Sequence, residues 1–195
     1  MMEGERRRLE NYFENLFTIA HDIRVTNRTG NKLDFGEGIA QVIKLIKTHS
    51  VAEKKLIFIG NGGSAAISSH MAIDFWKNGG IKAISFNDAS QLTCLGNDYG
   101  YGYIFEKPIE MFAETGDVLI AISSSGKSEN ILRAAKCAYR KGCKIITLSG
   151  FEADNPLSGM GDVNFYVPNS AYGPVEVIHH SICHCIIDTI MGENG

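Results

Sequence analysis

Two short runs in this 195-residue chain carry residue types whose spacing suits an anion, Gly60-Asn61-Gly62-Gly63-Ser64-Ala65-Ala66 and Ser123-Ser124-Ser125-Gly126-Lys127-Ser128. Glycines permit a tight turn and bring bare backbone N–H groups close to a ligand. A helix starting just beyond adds unpaired donors and a partial positive charge. Hydroxyls at four of the six positions of the second run can donate to phosphate oxygens, and Ser128 suits a helix N-cap. Either run alone could be an ordinary capped strand-to-helix turn. Two of them at the carboxyl ends of parallel strands predict a shared crevice for a phosphorylated small molecule.

A second chemistry is carried by histidines and carboxylates at helical spacing. His70 and Asp74 stand at i and i+4 shortly after the glycine run, so they project from one helix face. Near the end of the chain Glu176, His180 and His184 recur every four residues, a stripe drifting by about 40° per step at 3.6 residues per turn. His179 falls off that stripe and reads as structural or exposed, and His21 and His49 as surface or helix-end residues. Two helices offering imidazoles and carboxylates could hold a divalent metal, zinc being favoured by nitrogen and oxygen ligands, or could act without metal as a general acid and base. Spacing alone leaves both open, along with a plain polar helix face.

These residues need elements to position them. Leu9, Phe13, Leu16 and Phe17 predict a helix from about Glu5 to His21, and Ile39, Val42, Ile43 and Ile46 a second from about Gly36 to His49, joined by the polar linker Thr26–Asn31. Short apolar runs follow at Leu56–Ile59, Ile81–Phe86, Val118–Ile122, Lys144–Leu148 and Val163–Val167. They alternate with helical stretches near Ser64–Lys77, Tyr101–Phe112 and Ser128–Lys141. A last helix from about Pro174 to Met191 carries Val175, Ile178, Ile182, Ile186 and Ile190. The alternation predicts an α/β fold with a parallel five-stranded sheet flanked by helices.

Composition bounds the function classes. Nineteen Lys and Arg against 22 Asp and Glu give a net charge of -3, so no global positive field gathers nucleic acid or anionic membrane. No apolar run is long enough to span a bilayer, and the first residues are not followed by an apolar region with a small-residue cleavage site, which predicts a cytoplasmic protein. Five cysteines, Cys94, Cys137, Cys143, Cys183 and Cys185, read mostly as free buried thiols. The glycine run also fits the G-x-G-x-x-A dinucleotide fingerprint, but the second strand lacks a terminal acidic residue at the required distance, since Asp88 comes late. A Walker loop is excluded by spacing.

Taken in order, the glycine run with His70, then Leu95-Gly96-Asn97-Asp98-Tyr99-Gly100, the serine run and the last helix resemble the sugar isomerase (SIS) domain family. Within it they resemble the phosphoheptose isomerases, which convert sedoheptulose 7-phosphate to D-glycero-D-manno-heptose 7-phosphate. The likeness covers nearly the whole chain. It implies one flavodoxin-like SIS domain over residues 1–195, with residues 1–50 a helical extension used in oligomerisation. It further implies that Ser123, Ser124, Ser125 and Ser128 grip the phosphate, while Asn61, Gly62, Gly63 and the adjoining Ser64, with Asn97 and Asp98, contact the sugar. The family's metal and acid/base pattern is His-x-x-x-Glu on one helix and Gln with His eight residues later on the last. Here those positions read His70 with Asp74, and Glu176 with His184. The resemblance therefore implies Zn2+, or iron(II), held by His70, Asp74, Glu176 and His184. It also implies enediol catalysis by Asp74, Glu176 and His184, with Asp74 or Glu176 as the base and His184 handling the oxygen proton, and a contact of Glu176 with the substrate. His180 is the alternative ligand to His184. Two of the four positions differ from the family pattern, and Ala171-Tyr172-Gly173-Pro174 lacks an Asp that often reaches the substrate. A homotetramer with active sites between subunits is also implied. Two other functions fit: a non-catalytic SIS protein that binds a replication initiator, and an isomerase of another sugar phosphate in surface-polysaccharide synthesis.

Overall fold

The computed structural model describes residues 9–192. The first expected helix is observed as α1, Tyr12–His21, and the stretch from Glu5 to Arg8 lies outside the described residues. The chain then forms β1 (Arg24–Asn27), β2 (Lys32–Leu33), α2 (Phe35–Val51), β3 (Leu56–Gly60), α3 (Gly63–Lys77), β4 (Ala83–Ser85) and α4 (Ala89–Tyr99). It continues through α5 (Glu106–Phe112), β5 (Val118–Ser123), α6 (Glu129–Arg140), β6 (Lys144–Ser149), β7 (Val163–Tyr166) and α7 (Tyr172–Gly192). None of these helices is long and apolar enough to cross a membrane.

The sheet has seven strands in the order β2-β1-β7-β6-β5-β3-β4, two more than the five expected. Its parallel part is the expected five strands, and the added pair is an antiparallel hairpin in which β1 pairs with β2 and with β7. The hairpin replaces most of the expected linker. Asn27 Oδ1 accepts the Thr29 and Asn31 backbone N–H groups and closes the turn, an Asx-type substitute for backbone pairing. The periodic stretch Tyr101–Phe112 is also broken, into a 3-10 turn at Tyr101–Tyr103 and the short α5. Before it comes α4, unexpected from sequence because none of its residues is buried.

Strand alternation shows why both faces are covered. Leu56 and Phe58 of β3 and Val118, Ile120 and Ile122 of β5 face the core beneath α2, α3 and α7. Ile57, Ile59, Leu119 and Ala121 face the opposite core, beneath α5 and α6. α2 starts at a capping box, with Asp34 accepting from Glu37 N at 2.8 Å. On α7 the expected stripe Val175, Ile178, Ile182, Ile186 and Ile190 is buried, which fixes the helix's rotation and sets Glu176, His180 and His184 on its other side. The parallel strands follow the doubly wound order 2-1-3-4-5, which reverses between β3 and β5. Ligands of open α/β sheets bind beyond the carboxyl ends of the strands at such a reversal.

Candidate active site

Both anion-suited runs emerge at that reversal, for Gly60 and Ile122 are paired at the ends of β3 and β5. Gly62 has φ +55° and ψ -122°, a backbone that side-chain-bearing residues rarely adopt, and it precedes the first residue of α3. In the serine run Gly126 has φ +62°, and a Cβ there would overlap the Asn155 side chain. These turns open a cavity of about 380 Å³. The glycine side of its wall is Asn61, Gly62, Gly63 and Ser64, and the serine side is Ser123, Ser124, Ser125 and Ser128. Tyr172 and Glu176 of α7 complete it.

The serine side is a set of neutral donors. Ser123 and Ser125 accept backbone N–H groups from Gly126 and Lys127, at 3.2 and 3.3 Å, which leaves their O–H groups to donate outward. Ser124 Oγ is buried without a partner. Ser128 occupies the N-cap position of α6, yet its side chain makes no cap bond. A buried hydroxyl without a partner is costly unless a ligand supplies one. No lysine or arginine is among the lining residues, and Lys127 is drawn away to Glu152 at 2.5 Å. An anion here is met by hydroxyls and the N-terminus of α6 rather than by a cation.

Glu176 forms no hydrogen bond or ion pair among the described residues, and its carboxylate packs directly on Gly63, where a Cβ would displace it. One and two turns further along α7 stand His180 and His184, opposite His70 and Asp74 of α3. Candidate ligand atoms of His70, His180 and His184 lie within 4.8 Å of one another. His70 Nε2 is 3.2 Å from Asp74 Oδ2, and His184 Nδ1 is 4.0 Å from the same oxygen. Burial, followed by the neighbouring His184 and His70, lowers the His180 pKa, with Asp74 opposing. The shift favours the neutral ring, whose nitrogen lone pair can bind a ligand. His180 Nε2 is buried and has no partner. Three imidazoles, one of them orphaned, and a carboxylate suit zinc or iron(II).

His70, Asp74 and His184 come together with His180, whereas Glu176 sits with the cavity. Asn97 and Asp98 do not line the cavity: they lie exposed at the end of α4, with Asn97 Nδ2 donating to Asp98 Oδ1 at 2.9 Å. His179 is fully buried rather than exposed, contacts the Ser149 carbonyl through Nε2 at 3.1 Å, and has its pKa pushed down to about 4 by burial. Cys183 faces the core, its thiol pushed up to about 12 by burial, and is turned away from the imidazoles. Sequence reading missed Tyr172. Its signal was the spacing of four residues to Glu176, which puts both on one helix face.

A doubly wound sheet with a serine cradle at its reversal defines a class, and the chain belongs to the SIS-domain family, whose model matches residues 35–150. Within that family it is similar to phosphoheptose isomerases. It is 37% identical to the phosphoheptose isomerase of Edwardsiella ictaluri over 80% of this chain and 83% of that one. It is 38% identical to that of Helicobacter hepaticus over 72% of this chain and 76% of the other. The solved phosphoheptose isomerase of Francisella tularensis superposes with a TM-score of 0.82 at 27% identity, covering 99% of this chain and 100% of that structure. That of Neisseria gonorrhoeae gives 0.81 at 28% identity, covering 95% and 98%.

Proposed function

We propose that this chain is an aldose–ketose isomerase acting on sedoheptulose 7-phosphate to give D-glycero-D-manno-heptose 7-phosphate. The observation that carries this reading is one crevice with hydroxyl donors on one wall and an unpartnered Glu176 carboxylate on another, continued along α7 by the histidine cluster. The names of the similar proteins support the substrate.

The serine run and the α6 N-terminus hold the phosphate, and this remote binding energy orients the other end of the sugar. Glu176 takes the proton from C1 of the ketose and returns it to C2, and His184 moves the hydroxyl proton from O1 to O2. Asp74 is already engaged by His70 and by Asn78 Nδ2, so it serves the cluster first. His70, Asp74, His180 and His184 would hold Zn2+ or iron(II), which when bound supplies Lewis-acid stabilisation of charge on the substrate oxygens. Tyr172 lines the cavity beside Glu176.

The chain acts as a homotetramer in this reading. α1 buries none of its residues, and Phe13 and Phe17 are 78% and 68% exposed, an apolar face of the kind that a second copy covers. Free cysteines fit a reducing cytoplasm. The test is turnover of sedoheptulose 7-phosphate by the metal-analysed protein and by Glu176→Gln. Turnover that falls by about 100-fold or more in the variant is expected. An inactive metal-loaded parent overturns the reading, and a fully active Glu176→Gln transfers the base role to Asp74.

A further inference from the structure

We propose that Asn130 is a positioning residue, which with Asn61 and Tyr101 locks the glycine run to the serine run and holds the two walls of the crevice at one spacing. The inference rests on the sugar-phosphate reading above. Asn61 lines the cavity, and three hydrogen bonds tie its side-chain amide to the protein. Its Nδ2 donates to Asn130 Oδ1 at 3.0 Å, and its Oδ1 accepts from Asn130 Nδ2 at 2.8 Å and from the Tyr101 hydroxyl at 3.1 Å. Asn130 is 2% exposed, and its Oδ1 also accepts the Ile131 N–H in the first turn of α6. A reciprocal amide pair with one member buried fixes both side chains, because either left alone would leave polar atoms unsatisfied.

Where this tie sits gives it its role. The ladder between β3 and β5 ends at Gly60 and Ile122, and beyond it no backbone hydrogen bond joins residues 61–66 to 123–128 among the described residues. The serine run is anchored on its other side by backbone, with Gly150 N donating to Ser124 O at 2.9 Å and Leu157 N to Gly126 O at 3.2 Å. Toward the glycine run the direct tie is the amide pair. Phosphate is gripped on one wall while Glu176 rests on the other, at Gly63, so the spacing sets where the reacting carbons lie. Misplacement by about 1 Å can cost about 100-fold in rate.

The experiment uses the full chain as Asn61→Ala, Asn130→Ala and the double variant, reading kcat and KM with sedoheptulose 7-phosphate and the dissociation constant of inorganic phosphate. Each single variant is expected to lower kcat by about 10- to 100-fold with phosphate binding within about threefold of the parent. The double variant should be no worse than the larger single, because both break the same pair. Multiplying losses would make Asn61 an independent substrate contact and overturn the proposal, as would unchanged kcat in Asn130→Ala. Asn130→Asp keeps the shape and the acceptor while removing the donor, and takes the place of an alanine variant that does not fold. Hydrogen exchange separates this failure from failure of the isomerase reading. With an inactive parent, faster exchange in both runs of Asn130→Ala still supports the lock, and unchanged exchange in both overturns it.

Discussion

At the serine end of the crevice the ligand-facing groups are neutral, lie within six consecutive residues and are placed by backbone geometry, with Gly126 in a left-handed turn and the hydroxyls accepting from their own loop. At the histidine end they are titratable, drawn from α3 and α7, and placed by how two helices pack. In the proposed isomerase the difference divides the labour: a contiguous loop would recognise a shape and charge common to many ligands, while side chains from two helices would set the chemistry. It would also divide sensitivity, with the loop answering to steric change and the cluster to protons and metal.

Substitutions should separate the two ends. His180→Ala is expected to have the largest effect, a fall in kcat of about 1,000-fold with loss of bound metal and phosphate binding retained; elemental analysis beside kinetics checks it, and stoichiometric metal with parental kcat would dissolve the distinction. Gly126→Ala should do the reverse, costing about 3 kcal/mol or more through the left-handed backbone and the overlap with Asn155, and weakening phosphate while metal stays bound. Denaturant melts and phosphate titration measure both effects.

Acid should act through the α7 end. His179, held at about 4 when folded against about 6.5 unfolded, is unprotonated in the native state, so the unfolded chain takes up the proton first as pH falls. Its contribution is fully present above about pH 6.5 and is lost between there and about pH 4, to a total of about 3 kcal/mol. His180, also lowered, adds in the same direction. His179→Gln should flatten the stability-against-pH slope in that window, and an unchanged slope would assign the acid sensitivity elsewhere. The smallest effect is expected from Lys127→Ala, because its pair with Glu152 is exposed. Stability should change by about 0.5 kcal/mol or less, with phosphate binding nearly intact.

The same contrast explains what could be read from sequence. The serine and glycine runs, the parallel strands and the buried stripe of α7 were legible because each depends on contiguous residues or on one period. The β1–β2 hairpin was not: its buried apolar residue is Val25, and Asn27 imitates a linker while closing the turn. α4 was missed because a helix with no buried residue has no stripe to show. At the cluster, His70 with Asp74 was legible from spacing within one helix. The approach of His180 and His184 to them depends on the height at which α7 crosses α3, which neither helix encodes alone.

The close approach of Glu176 to Gly63 has an evolutionary consequence. A Cβ at position 63 would take the space of the Glu176 carboxylate, which is the free end of a flexible side chain and can swing aside, so a change there moves the acid rather than breaking the fold. The two positions stand 113 residues apart in the chain yet meet at one wall. A lineage can therefore retune this wall from either position, by changing the acid itself or by pushing it aside, and a library that randomises both together would read their coupling.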